Sequence, residues 1–184
     1  GRNLFSNKNL TFEPSLNIPT PENYVLGPGD EVIIDIWGNS EATVRQVISP
    51  EGSINVSNIG PIYLNGKRIQ EASSYLKTMF SRIYSDLASE NPSTFLKVSL
   101  GQIRSIQVNV MGEIVMPGTY MLPSLATVFH ALYAAGGVNN VGTLRDVVLY
   151  RNGKAFKHVD VYDYIMNGNN SFDITLQDGD LINV

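Results

Sequence analysis

Apolar and polar residues alternate over Glu31–Trp37, so that Val32, Ile34 and Ile36 share one side of an extended chain while Glu31, Ile33, Asp35 and Trp37 share the other. A period of two predicts a strand with one face turned to a core. Further strands are expected at Ala42–Ile48, at Ser53–Val56 after the Glu51-Gly52 turn, and at Phe95–Leu100. Between them the period changes. Ile69, Ala72, Leu76, Met79, Phe80, Ile83 and Leu87 recur at spacings of three and four, opposite Gln70, Ser73, Ser74, Lys77, Ser81 and Arg82. That stripe predicts one amphipathic helix over 69–87, and spacing this regular marks core packing rather than a cofactor box.

In the second half Ile106, Val108 and Val110 alternate with Gln107 and Asn109, and Thr119–Leu122 is a short strand after an expected tight turn at Pro117-Gly118. Ser124 stands where it would cap a helix with the stripe Leu125, Val128, Phe129 and Leu132. Gly136-Gly137 ends that helix, because glycine takes the left-handed position after a helix without steric penalty. Strands at Val147–Tyr150 and Phe156–Val161 flank an Asn152-Gly153 hairpin turn, and a helical turn at Tyr162–Asn167 precedes a last strand at Leu181–Val184. The order β-β-α-β-β, with a small insertion before the final strand, suits a β-grasp, a sheet curled around one helix. The fold class expected for the whole chain is α+β in two units.

The sequence LGPGD before the first strand places Gly27, Gly29 and Asp30 in a turn, with Pro28-Gly29 suited to the centre of type II. It is not a phosphate cradle, since such loops follow a strand and open a helix. LQDGD, with Gly179 and Asp180, repeats the frame L-x-x-G-D before the last strand. Both read as one structural device, a tight turn whose Asp locks the entry to a strand.

Residues 1–23 carry Pro14, Pro19 and Pro21 and no periodicity, which predicts an extended arm or linker. The chain opens on Gly rather than Met and reads as a piece of a longer protein. Ile114–Leu144 has no charged residue, but prolines and glycines cut it into pieces too short to span a membrane.

Charge narrows the chemistry. The 184 residues carry a net charge of −4 with no basic cluster beyond Lys67-Arg68, so no nucleic-acid partner is expected. Absence of cysteine removes disulfides, thiol catalysis and zinc–thiolate sites. Two histidines, His130 and His158, are too few for a His-rich metal site. A glycosidase would need a carboxylate pair at set separation. The candidate pairs, Asp160 with Asp163 and Asp178 with Asp180, fall in turns where Asp is common, so no catalytic residue, no metal and no cofactor is expected. Five side chains stand as candidate contacts to a glycan or to another subunit. Trp37 lies on the more polar side of its strand, Arg45, Lys67 and Arg68 could face an acidic glycan, and His130 lies off the apolar stripe of its helix.

The stretches YVLGPGDEVIIDIWG and SPEGSINVSNIGPIYLNGKRIQEA (residues 49–72), with the helix that follows, resemble the outer-membrane polysaccharide export family. Residues 104–184, through VMGEIVMPGTYML, LYAAGGV and VVLYRNGK, look like the soluble-ligand-binding β-grasp (SLBB) domain that follows in those proteins. The arm is similar to that of the large capsule-export proteins of Bacteroidetes. The domains expected on this resemblance are an arm at 1–23, a polysaccharide-export domain at 24–102 and an SLBB domain at 103–184. The resemblance implies the periplasmic part of a channel at the outer membrane of a Gram-negative bacterium, stacked as rings that guide capsular polysaccharide or exopolysaccharide outward. It implies as partners the polysaccharide, further copies of the chain in a ring of the full-length protein, and an inner-membrane polysaccharide co-polymerase. Family members carry a lipobox cysteine upstream and a membrane-spanning segment downstream of these domains; neither lies within these residues, so no direct membrane insertion by them is expected. A discrete carbohydrate-binding module without a transport role stands as the alternative.

Overall fold

A computed structural model describes residues 21–168 and 174–184, so the expected arm falls almost wholly outside the described residues. The fold is α+β, in two compact units that divide between Arg104 and Ser105.

The first unit contains β1 (Glu31–Gly38), β2 (Ala42–Val47), β3 (Ser53–Val56), β4 (Gly60–Tyr63), α1 (Ile69–Phe80), a 3-10 turn at Ser85–Ala88, and β5 (Thr94–Leu100). β1 lies between β2 and β5, antiparallel to both, and β3 and β4 form a separate hairpin. Alternation along β1 buries Val32, Ile34 and Ile36, which join Ile54, Ile62, Leu64 and the Ala72, Leu76 and Phe80 stripe of α1 in the core. The helix expected over 69–87 stops at Phe80. Tyr84 leaves the helical region (φ −110°, ψ 80°), and the 3-10 turn then carries Leu87 into the core while Ile83 stays 42% exposed. The spacing of the stripe is therefore satisfied by two elements instead of one. Strand β4 is an element that the alternation pattern does not predict; its Pro61 sits opposite Asn55 in a two-stranded hairpin, where a proline that cannot donate is tolerated.

The second unit contains β6 (Ser105–Met111), β7 (Gly118–Pro123), α2 (Val128–Ala134), β8 (Val147–Arg151), β9 (Lys154–Val159), α3 (Val161–Asn167) and β10 (Leu181–Asn183). The sheet order is β7-β6-β10-β8-β9, with β10 parallel to β6 at the centre and every other pair antiparallel. This is β-grasp order. Val108, Val110, Leu132, Leu149 and Ile182 are fully buried in one core.

Two local expectations fail here. Thr127, not Ser124, caps α2, because the residues just before it are taken up by pairing: Ala126 accepts from the amide of Leu176, and Thr127 bridges Thr175. Pro117-Gly118 is not a tight turn between strands. Residues 112–117 form the connection, and Gly118 is the first residue of β7, opposite Val110. The glycine that this connection requires is Gly112 (φ 90°), where a Cβ would stand 2.3 Å from the Val184 carbonyl oxygen.

Candidate functional site

The two L-x-x-G-D turns form the same construction. In the first, Gly29 takes φ 95°, the Asp30 amide donates to the Gly27 carbonyl, and the buried Asp30 carboxylate accepts from the Gly27 amide at 2.9 Å. In the second, Gly179 takes φ 85°, the Asp180 amide donates to the Gln177 carbonyl, and the buried Asp180 carboxylate accepts from the Gln177 amide at 2.8 Å. Each carboxylate also holds an arginine. Arg104 donates from Nη1 to Asp30 at 2.6 Å, and Tyr24 adds its hydroxyl at 2.9 Å. Arg151 donates from Nε and Nη2 to the two oxygens of Asp180 at 3.0 and 2.9 Å. A buried carboxylate is tolerated only when it is paired and hydrogen-bonded, and both are.

The likeness extends to connectivity. Leu26 and Ile69 pair through backbone bonds with the segments around Lys67 and Tyr24, as Leu176 and Val128 do with Ala126 and Ile174. Each unit thus has a hairpin leading into a helix, a G-D turn held beside the start of that helix, and an arginine at the end of the strand antiparallel to the one the Asp opens (Arg151, last in β8) or a few residues past it (Arg104, after β5). In the first unit the G-D strand comes before the hairpin; in the second it comes last. Arg104 and Arg151 escaped the sequence reading, since neither sits near its Asp in the chain.

Three of the four carboxylates weighed for catalysis hold backbone, Asp180 as described above, while Asp163 accepts from the Asn167 side-chain amide at 2.8 Å. Asp160 caps α3, accepting from the amides of Tyr162 and Asp163. Asp178 accepts from the Gln107 amide at 2.8 Å. Among the described residues no group of three or more His, Asp or Glu side chains could hold a metal.

The five candidate contact residues do not converge. His130 is half-buried, and its Nδ1 accepts from the Thr127 amide at 3.0 Å, so it closes the start of α2 instead of lying exposed. Lys67 sits over the Tyr75 ring, 4.7 Å from its centroid, and the Arg68 amide donates to Glu71 in the first turn of α1. Arg45 and Trp37 share the outer face of the β2-β1-β5 sheet, where Arg45 lies 3.5 Å from Glu31. Trp37 is 46% exposed and stacks on Phe95, its register partner on β5, with ring centroids 5.8 Å apart and planes at 29°. Phe95 was not singled out from the sequence, because alternation gives the face of a strand but not its neighbour. A cleft of about 250 Å³ opens under the other face, floored by Phe80 and rimmed by Gln46, Asn55, Asn58 and Tyr84.

Residues 18–111 match the family of polysaccharide biosynthesis/export proteins, and residues 106–184 match the SLBB domain. The chain belongs to the polysaccharide biosynthesis/export family. It is also similar to two proteins of Escherichia coli, each described as polysialic acid transport protein KpsD, at 27% identity over 147 residues, which is 79% of this chain. The chain spans about a quarter of the length of these curated relatives (25%). In this export-family chain no helix among the described residues is long and apolar enough to cross a membrane.

Proposed function

We propose that the chain is the periplasmic part of an outer-membrane polysaccharide export channel, whose domains form ring layers that guide capsular polysaccharide or exopolysaccharide outward. The observation that carries this reading is the succession of an export-family domain and an SLBB domain across the two units, at residues 18–111 and 106–184. The transport proteins it resembles are described as carrying polysialic acid, which supports an extended glycan as the cargo class. The protein works without catalysis: Asp160, Asp178 and Asp180 are engaged with backbone amides, Asp180 also with Arg151, Asp163 with the Asn167 side chain, and a moving polymer calls for a passage with weak contacts. Its partners in this reading are the polysaccharide, further copies of the full-length protein and an inner-membrane polysaccharide co-polymerase, at the periplasmic face of the outer membrane of a Gram-negative cell.

In-frame deletion of residues 24–184 from the gene in its host tests the proposal. Surface glycan should disappear while glycan accumulates inside the outer membrane, and the intact gene should restore display. Undiminished surface glycan in the deletion strain would remove the export role and favour a binding module with no part in transport.

A further inference from the structure

Trp37 and Phe95 form a side-by-side aromatic pair on the outer face of the β2-β1-β5 sheet, and each leaves nearly half its surface to solvent (46% and 44%). Trp37 has no hydrogen-bond partner for its indole N–H among the described residues. The adjoining rung on the same face is polar: Asp35 lies between Thr43, whose hydroxyl donates to it at 3.0 Å, and Lys97. The strand ends that carry the rings are tied together next to them. Gly38 (φ 103°) lets β1 close on β5 so tightly that a Cβ there would stand 2.0 Å from the Ser93 carbonyl oxygen. The Asn39 amide donates to that same oxygen, and Asp86 accepts from the Ser93 amide at 2.7 Å, fixing the end of β5 just before Phe95.

We infer that Trp37 and Phe95 form a stacking platform for a pyranose ring of the exported glycan, with the Asp35–Lys97 rung serving its hydroxyls. Aromatic faces attract the polarised C–H bonds of a sugar face, and the indole N–H supplies a directional donor at the same spot. The chemistry of the surround favours a sugar over a second protein copy. Two rings bounded at once by charged and hydroxyl groups offer far less than the roughly 1,000 Å² that a specific protein interface buries. A small platform also suits a polymer that must slide, since one or two stacked rings hold it weakly and alike at every repeat.

Because it rests on the export reading for its ligand class, the platform needs a readout of its own, and the chain supplies one. Trp37 is its single tryptophan, so intrinsic fluorescence reports on this face alone. The 184-residue chain is titrated into the millimolar range with oligomers of sialic acid, cello-oligosaccharides and dextran oligosaccharides. A saturable change in emission with at least one of them is expected. Phe95→Ala should weaken that binding up to about tenfold, by removing the second ring of the pair. Phe95→Leu serves as the folded substitute if the alanine variant is unstable. Phe156→Ala, which removes an exposed aromatic from β9 in the other unit, should leave binding unchanged.

No emission change with any of the three sugars overturns the inference, as does binding indifferent to both Phe95 variants. Emission that shifts with protein concentration in the absence of sugar, alongside rising mass in light scattering, would give the face to a second copy. Failure here with surface glycan still lost on gene deletion removes the platform and leaves export standing.

Discussion

Arg104 reaches back 74 residues to place its guanidinium Nη1 2.6 Å from the carboxylate of Asp30, a side chain with no exposed surface. The pair closes the first unit on itself. Asp30 opens β1, and Arg104 ends the chain segment that β5 begins, so the contact ties the two ends of an antiparallel pair at one corner. Asp180 and Arg151 do the same in the second unit.

Arg104→Ala should destabilise the first unit by about 3 kcal/mol, the low end for breaking a buried pair, because the guanidinium keeps some contact with water. Urea denaturation gives the value, and hydrogen exchange in β1 and β5 shows whether the loss is local. In an Asp30→Ala background the same change should cost much less, since no buried charge is then left unpaired. Equal losses in both backgrounds would show that Arg104 acts by packing alone.

Gly38→Ala should cost about 2 kcal/mol or more. The residue combines a left-handed φ with a close approach to the Ser93 carbonyl oxygen, and an added Cβ meets both penalties. The strand ends must part to admit it, so Trp37 emission should shift with the loss of stability. An unchanged melting temperature would show that the β1–β5 closure is looser than the geometry indicates.

Asp86 gives the protein a measurable response to acid. Hydrogen bonds from the Thr94 side chain, and then from the Ser93 amide and the Ser89 hydroxyl, hold its carboxyl below the ordinary value of 3.8 against a smaller opposing effect of desolvation. The folded state thus favours the charged form. Its contribution to stability is complete above the unfolded value and is lost as pH falls through the lower folded value. Melting temperature should therefore drop below about pH 4, and Asp86→Asn should flatten that part of the profile. A profile identical in the variant would assign the acid response to other carboxylates.

Asp160→Ala should loosen α3 by about 1 kcal/mol, the usual cost of removing an N-terminal cap. Faster hydrogen exchange at Tyr162 and Asp163, whose amides it holds, is the direct readout. Reducing-sugar release from acidic and neutral polysaccharides should stay at background before and after the change. Turnover that vanished with Asp160 would make it a catalytic residue instead of a cap.

Local physics was legible in the sequence. Alternation placed Val32, Ile34 and Ile36 inside and Trp37 outside, because a strand side chain has only two faces to choose from. Turn chemistry located the G-D corners, Asn152-Gly153 and the glycines after α2, because positive φ restricts residue choice at single positions. Other features depended on distant partners. The stripe over 69–87 fits one helix or a helix followed by a 3-10 turn, and only the shape of the core ends α1 at Phe80. The cap of α2 moved from Ser124 to Thr127 because residues 174–176 pair with the segment in front of it. His130, off the apolar stripe, became part of that cap. Arg104, Arg151 and Phe95 gained their roles from strand register, which sets who faces whom across a sheet and leaves no trace in the spacing of a single strand.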